Sequence, residues 1–366
     1  MKNFLMVLKT QNLKNDQRVL KEINSLVLLE NSVDIFVATD VRNDRNSEFV
    51  NTRYINIIGG SSSEKIIYKI LGVFQFYIKF LFYLIFYKKK YDGFWVADPI
   101  LFGVVLIINS FGGKNKTIIW DHHELPPKWF LNNKFFMYFF KKSYISSNLV
   151  IHANLPRKNY LEEILNYKHK NAYIISNYPS CCGRPNEALL DSNIENWIKN
   201  HKFIYLQNSL QDNRYGANVI KVAIELGYYV FHAGKINDKY LVENKVDISK
   251  VCLAGYLSFD QINRVLNKCL LTVILYKKES VNQTYCDANR LYQAMSLGVP
   301  VIIGNNPTLV DATKDYRDKI ILNDDGQDII GLKKVLSDNN FTLDRIPLLR
   351  TWEEYNELFT SITRQV

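Results

Sequence analysis

Residues 284–304, Thr-Tyr-Cys-Asp-Ala-Asn-Arg-Leu-Tyr-Gln-Ala-Met-Ser-Leu-Gly-Val-Pro-Val-Ile-Ile-Gly, leave this chain few folds to choose from. Loop, helix, turn and buried strand follow within 21 residues. Asp287 or Asn289 is placed to cap the helix, since a short side-chain oxygen accepts the orphan amide protons of a first turn. Leu291, Ala294, Met295 and Leu297 recur at helical spacing and give it an apolar face. Gly298 suits the helix end, and Pro300 prevents continuation. Val299–Ile303 is then a short, mostly β-branched strand of the kind buried inside a parallel sheet.

The polar residues at the start of this helix carry the chemical message. Asn289, Arg290 and Gln293 lie within about one turn of an N-terminus whose free amides and partial positive charge suit a phosphate. The plainer interpretation is an ordinary α/β crossover with a well-capped helix.

Similar units recur along the chain. Phe4–Leu8, Val33–Ala38, Gly93–Ala97, Thr117–Trp120, Leu149–Ala153 and Ala172–Ser176 read as strands, with helices over about 16–29 and 156–165. Phe203–Leu206, Tyr228–Ala233, Val251–Leu253 and Leu271–Leu275 begin a second series. This alternation predicts parallel sheets with helices on both faces, and 366 residues suit two such domains. The expected division is 1–177, a connection over 178–202, a second domain over 203–345, and a terminal helix over 346–366. No internal repeat, low-complexity tract or glycine-rich dinucleotide fingerprint is visible.

A formal net charge of +10 points to an anionic partner, whether nucleic acid, anionic bilayer or phosphorylated substrate. Five cysteines without metal-ligand spacing argue against a zinc site and for reduced thiols in a cytoplasm. Ile66–Tyr87 is apolar and aromatic enough to suggest a membrane span, but Lys69, Gln75 and Lys79 interrupt it. On a helical wheel Lys65, Lys69, Gly72, Gln75 and Lys79 form one stripe, leaving aromatic groups such as Phe76 and Phe80 elsewhere, and Lys88, Lys89 and Lys90 follow. Such a helix is expected to bury one side and dip aromatic and basic groups into an anionic membrane surface. Residues 134–142, Lys-Phe-Phe-Met-Tyr-Phe-Phe-Lys-Lys, offer a second patch of this kind; core-facing helices with solvated lysines are the alternative for both.

Asp121-His122-His123-Glu124-Leu125 stands where Thr117–Trp120 ends, at the sheet edge where ligands sit in open α/β domains. Two imidazoles and two carboxylates are sufficient for proton transfer near neutral pH. A hydrogen-bonded loop closing onto a helix is the structural alternative.

Residues 288–302 resemble the donor-binding element of GT-B glycosyltransferases, especially glycosyltransferase family 4, whose pattern is P-N-K-hydrophobic-hydrophobic-E-A followed by G-x-P-V. Asp121–Leu125 resembles the D-S-H-E-L loop of the same relatives. Asp16, Arg18, Val19 and Glu22 match a D-x-R-V-x-x-E element, and Asn177-Tyr178-Pro179 resembles the close of their first domain. The resemblance implies two doubly wound Rossmann-like domains facing across a cleft and transfer of a sugar from a nucleotide-diphosphate sugar. By it, His123 contacts the donor sugar or steadies charge at the anomeric centre, with Glu124 next in line as acid/base. Arg214 and Arg290 hold the diphosphate, while Gly255 and Tyr256 line the base. The family's two glutamates are replaced here by Tyr285 and Gln293; a glutamine can still accept one hydroxyl hydrogen bond and donate another. Of the family's G-R…K phosphate loop, Gln207 and Asn208 replace the first two residues, and Arg214 stands at the lysine.

The implied partners are a nucleotide sugar, a lipid-linked or oligosaccharide acceptor and the anionic inner membrane surface, as in bacterial O-antigen or capsule polysaccharide assembly. No D-x-D pair is present, so neither metal nor other cofactor is expected. Competing readings are a UDP-sugar epimerase of the same fold, a non-catalytic GT-B subunit, and a basic nucleic-acid-binding protein, although no nucleic-acid module is recognisable.

Overall fold

The computed structural model describes residues 1–40, 51–60, 65–87, 89–112, 116–180, 189–207, 210–323, 329–338 and 345–366. They form two compact units, Met1–Ser176 with Glu353–Val366, and Asn177–Trp352.

The first unit is built on β1 (Asn3–Lys9), β2 (Ser32–Ala38), β3 (Thr52–Ile55), β4 (Gly93–Ala97), β5 (Thr117–His122), β6 (Leu149–His152) and β7 (Ala172–Ile174). All run parallel, in the order β3-β2-β1-β4-β5-β6-β7. The second contains β8 (Phe203–Gln207), β9 (Tyr229–Ala233), β10 (Val251–Leu253), β11 (Leu271–Ile274), β12 (Val301–Gly304) and β13 (Lys319–Leu322), again parallel, ordered β10-β9-β8-β11-β12-β13. Both sheets are thus doubly wound, reversing between β1 and β4 and between β8 and β11. The crevice at the carboxyl ends of such strands is where this architecture binds ligands. Central strands are apolar on both faces because helices cover both; Phe4–Leu8 of β1 is buried throughout. The edge strands β3 and β13 do not stand out in the sequence, since they are short and only partly buried.

The terminal helix Asn356–Gln365 completes the first unit: the Phe359 ring stacks on Trp95 at 5.7 Å, and Lys2 donates to the Thr363 carbonyl at 2.8 Å. Within the expected connection, Ser192–Asn200 is a helix capped by Asp191. It packs Ile198 and Trp197 against the core around Phe203 and Phe231, so it belongs to the second unit. Cys181 and Cys182 lie outside the described residues, as does Asn208.

The helix Ile66–Phe86 is the one described helix long and apolar enough to cross a membrane. Its inner face packs on the sheet, with Phe76, Phe80 and Tyr83 around Phe36 of β2 at ring distances of 5.0–5.4 Å. Phe76 and Phe80, expected in a membrane-facing patch, are therefore fully buried core residues. The lysine stripe is not the solvent face either. Gln75 accepts from the Ile58 amide, Lys79 donates to the Asn56 carbonyl, and Gly72 lies so close to Ile58 that a Cβ would meet its carbonyl at 2.5 Å. What faces outward is apolar: Ile67, Leu71, Phe74, Ile78, Phe82 and Ile85. Lys89 is ion-paired with Asp34 at 2.8 Å, Lys90 is exposed, and Lys88 lies outside the described residues.

Gly298, after the helix Asn289–Ser296, has φ +68°, and a Cβ there would stand 2.3 Å from the Arg345 carbonyl oxygen. Gly298→Ala is expected to destabilise the second unit by roughly 1–3 kcal/mol, the range for backbone strain of this kind. Urea unfolding followed by tryptophan fluorescence checks this; an unchanged midpoint contradicts it.

Candidate functional site

The second unit gathers a pocket of about 360 Å³ at the carboxyl edge of its sheet. Arg214 precedes the helix Gly216–Glu225, and Arg290 opens the helix Asn289–Ser296. Residues 76 apart in sequence, they converge on Tyr276, with guanidinium carbons 4.1 and 5.2 Å from its ring centroid. Stacking leaves the in-plane N–H groups available. Arg214 Nε and Arg290 Nε and Nη2 are buried and have no hydrogen-bond partner. Burial, together with the charge of Arg214, pushes the Arg290 pKa down. Two adjacent unneutralised guanidinium groups beside an aromatic ring have the chemistry to receive a multiply charged anion.

Neither expected residue caps the helix. Ala288 occupies the N-cap position without a side-chain bond, because Asp287 accepts from the Tyr292 hydroxyl at 2.8 Å and Asn289 accepts from Asn177 at 2.7 Å. The first turn thus has no side-chain cap, though the Leu291 amide donates to the Ala288 carbonyl at 2.8 Å. Gly255 supports the loop behind the pocket: with φ +70°, its carbonyl accepts from Gly234 at 2.7 Å. Tyr256 lines the pocket and is 81% exposed. Lys235, which the sequence did not single out, lies on the same wall.

Two expected donor residues are placed otherwise. Gln293 is 5% exposed and donates to the Phe259 carbonyl and to Asn263 Oδ1 at 2.7 Å. Its amide ties this helix to Phe259–Leu266, and it does not line the pocket. Tyr285 closes the short helix Val281–Thr284, half-buried and likewise outside the lining.

The first unit brings a second group together. Strand alternation sends the two histidines of β5 and its exit to opposite sides. His122 is buried against Trp120 and Phe140, and burial pushes its pKa down to about 3, so it is a neutral core group. His123 turns the other way, its Nε2 2.5 Å from Asp121 Oδ2 and 3.6 Å from Glu22 Oε1. Arg157 holds its carbonyl. Arg18 binds both Asp121 oxygens, at 2.8 and 3.1 Å, and also the Ile175 carbonyl at 2.6 Å. The D-x-R-V-x-x-E helix therefore supplies Arg18 and Glu22 to the loop it was read apart from.

Proton positions follow from this geometry. Burial opposes charge on every member, but Arg18 and His123 hold the Asp121 carboxyl well below the usual range. Against the opposing effect of burial, Asp121 and Glu22 hold His123 well above its ordinary value. Burial, reinforced by the charge on Asp121, pushes Glu22 up to about 8. Near neutral pH the cluster is a guanidinium, a carboxylate, an imidazolium and a neutral carboxylic acid. His123 is thereby a cationic donor rather than a free base. Glu22, Asp121 and His123 present ligand atoms within 4.8 Å of one another, enough for a metal ion, but Arg18 already supplies the positive charge beside these carboxylates.

Asp98, at the exit of β4, is the N-cap of the turn Pro99–Leu101. It accepts from the Ile100 amide at 2.8 Å, but with φ +109° it is strained for a residue with a side chain. Burial pushes its carboxyl up to about 6, Glu124 adding to the shift. Glu124 itself is exposed at the same edge.

No family model matches the sequence, and no curated protein matches it. Solved structures do. Sucrose-phosphate synthase from Thermosynechococcus elongatus aligns with a TM-score of 0.69 and 14% identity, over 100% of this chain and 99% of that one. Anabaena HepE, solved with UDP and glucose, gives 0.66 and 9% over 100% of both chains. A trehalose-6-phosphate synthase, studied for glycosyl transfer with retention, gives 0.68 and 10% over 99% of both. The fold is accordingly GT-B, two parallel-sheet α/β domains shared with these proteins at identities that speak for architecture alone.

Because the folded-state pKa of Glu22 lies above the usual value of 4.5, its stabilising share is complete below that pH and is lost as pH rises through about 8. Glu22→Gln mimics the protonated acid. It should flatten the fall in stability between pH 5 and 9 by up to about 1.4 kcal/mol per pH unit. Urea midpoints across that range test this; parallel pH profiles for the two proteins contradict it.

Proposed function

We propose that this protein is a glycosyltransferase that moves a sugar from a nucleotide-diphosphate sugar to an acceptor. The observation that carries this is the pair Arg214 and Arg290 on Tyr276, with buried N–H groups lacking partners, at an uncapped helix N-terminus. The leaving diphosphate gains negative charge as the anomeric bond breaks, and preorganised cations stabilise that charge where it develops. With guanidinium groups in this role, no metal ion or other cofactor is called for. Tyr256 offers its face to the base. His123, held as an imidazolium by Asp121, would donate to a sugar hydroxyl or acceptor phosphate, and Asp98 or Glu124 would take the acceptor proton. HepE and the trehalose-6-phosphate synthases are similar in fold and have been solved with UDP-sugars or their analogues, which supports this class of donor.

The acceptor we propose is lipid-linked, met at the cytoplasmic face of an anionic inner membrane during cell-surface polysaccharide synthesis. Support comes from the outward face of Ile66–Phe86 and from Phe135 and Tyr138 on the helix Lys134–Ser146, both more than 60% exposed. A UDP-sugar epimerase has no need of such surfaces.

A thermal-shift panel of nucleotide sugars tests the donor site. At 100 times its Kd a donor should stabilise the protein by about 2.7 kcal/mol. Arg290→Ala should weaken binding roughly 10- to 100-fold, the worth of a charged hydrogen bond to phosphate. An unchanged shift in that variant removes Arg290 from the site, and silence with every donor favours a non-catalytic subunit.

For the membrane, Ile78→Ser with Ile85→Ser should cut co-sedimentation with phosphatidylglycerol vesicles at least about tenfold, each buried methylene contributing about 0.8 kcal/mol. Equal sedimentation of both proteins contradicts the membrane assignment.

A further inference from the structure

A second cavity, of about 540 Å³, opens in the first unit between the edge strand β3 and the C-terminal half of the helix Ile66–Phe86. It lies apart from the carboxyl-edge cluster of Asp98, Asp121 and His123, none of which lines it. Among the described residues its charged lining is Arg53 and Lys79, with no carboxylate. Arg53 sits over the Tyr83 ring at 5.2 Å. That ring is fixed from beneath, since the Tyr83 and Tyr91 hydroxyls lie 2.6 Å apart and Tyr91 donates to Asp34 at 2.7 Å. Asp34 is in turn neutralised by Lys89. Asp34 is thus already paired, and the stacking orders the Arg53 guanidinium without using its N–H groups. Lys79 donates one proton to the Asn56 carbonyl at 2.6 Å, leaving two for a ligand.

The far rim is apolar. Phe82 and Phe86 stack at 6.0 Å and are 54% and 73% exposed, and they continue the outward row through Ile78 and Ile85. A site with two cations at one end and an uncovered apolar track at the other matches one chemical shape.

We propose that this cavity binds the phosphate of an anionic amphiphile, with Arg53 and Lys79 on the phosphate oxygens and the hydrocarbon chain along Phe82 and Phe86. The cavity accommodates a phosphorylated headgroup and leaves the chain outside, as it would be in a bilayer. This rests on the lipid-linked acceptor proposed above and gives it an anchoring point, but its test does not depend on sugar transfer.

The full-length chain is titrated calorimetrically with water-soluble dioctanoyl phosphatidic acid, its zwitterionic phosphatidylcholine counterpart, and inorganic phosphate. The phosphatidate should bind at least about tenfold more tightly than either control, and the pair Arg53→Met with Lys79→Met should lose at least about tenfold of that affinity. Methionine keeps the side-chain stems packed, and an unchanged far-UV circular dichroism spectrum and melting temperature show that the variant is folded. The single change Lys79→Arg should retain binding. Phosphatidate affinity within twofold of the parent in the double variant overturns the site, and so does inorganic phosphate binding as tightly as the lipid. Silence of the parent protein across the whole nucleotide-sugar panel would sink the transferase reading alone, leaving the cavity to stand or fall on the phosphatidate titration.

Discussion

Two like charges held side by side dominate the second unit. Arg214 and Arg290 both lie against the Tyr276 ring, and no carboxylate among the described residues neutralises them. A ring contributes about 0.5–2 kcal/mol to each cation through its quadrupole. Mutual repulsion and lost hydration oppose this, so the pair is comfortable only when an anion enters. Phosphate does not compete with the ring, because it binds the edge of the guanidinium while the ring meets its face. The surrounding fold serves this arrangement: the parallel sheet reverses between β8 and β11, and Tyr276 follows the end of β11. The helix behind it is left without a side-chain cap, since its polar neighbours are engaged elsewhere.

The first unit solves the opposite problem. Four ionisable groups, Arg18, Glu22, Asp121 and His123, are packed with little access to water, a costly arrangement unless each charge has a partner. The outcome is one fixed protonation pattern, with the surplus proton on Glu22 and the positive charge on His123. Such a cluster sets which atom of His123 is offered: Nε2 is committed to Asp121, and Nδ1 has no partner among the described residues. The strained backbone at Asp98 lies at the exit of the neighbouring strand, so charge and strain collect at one sheet edge.

Much of this was legible in the sequence, and the failures share a cause. The central strands and the unit over 284–304 stood out because burial on both faces demands continuous apolar runs, a local signature. Arg214 and Arg290 were singled out by the helix N-terminus and the family pattern, and the fold brings both to Tyr276. What periodicity could not supply was the direction of a polar side chain with two neighbours to choose between. Gln293 has the right spacing for a ligand contact, but Asn263 on the adjacent helix claims it. Asp287 and Asn289 are good caps in isolation, yet Tyr292 and Asn177 take them. On Ile66–Phe86 the lysines were expected with the aromatics at a membrane surface, whereas Gln75 and Lys79 meet residues 56–58 and leave an apolar face outside. The convergence of Arg18 and Glu22 on Asp121 joins residues about 100 apart, which no local pattern encodes.

The most direct test of the donor site is a crystal structure of the full chain grown with UDP. The pyrophosphate should lie between the two arginines, with oxygens about 2.7–3.0 Å from both guanidinium groups and from first-turn amides of Asn289–Ser296. UDP bound elsewhere, with Arg214 and Arg290 still lying unligated on Tyr276, would contradict the account.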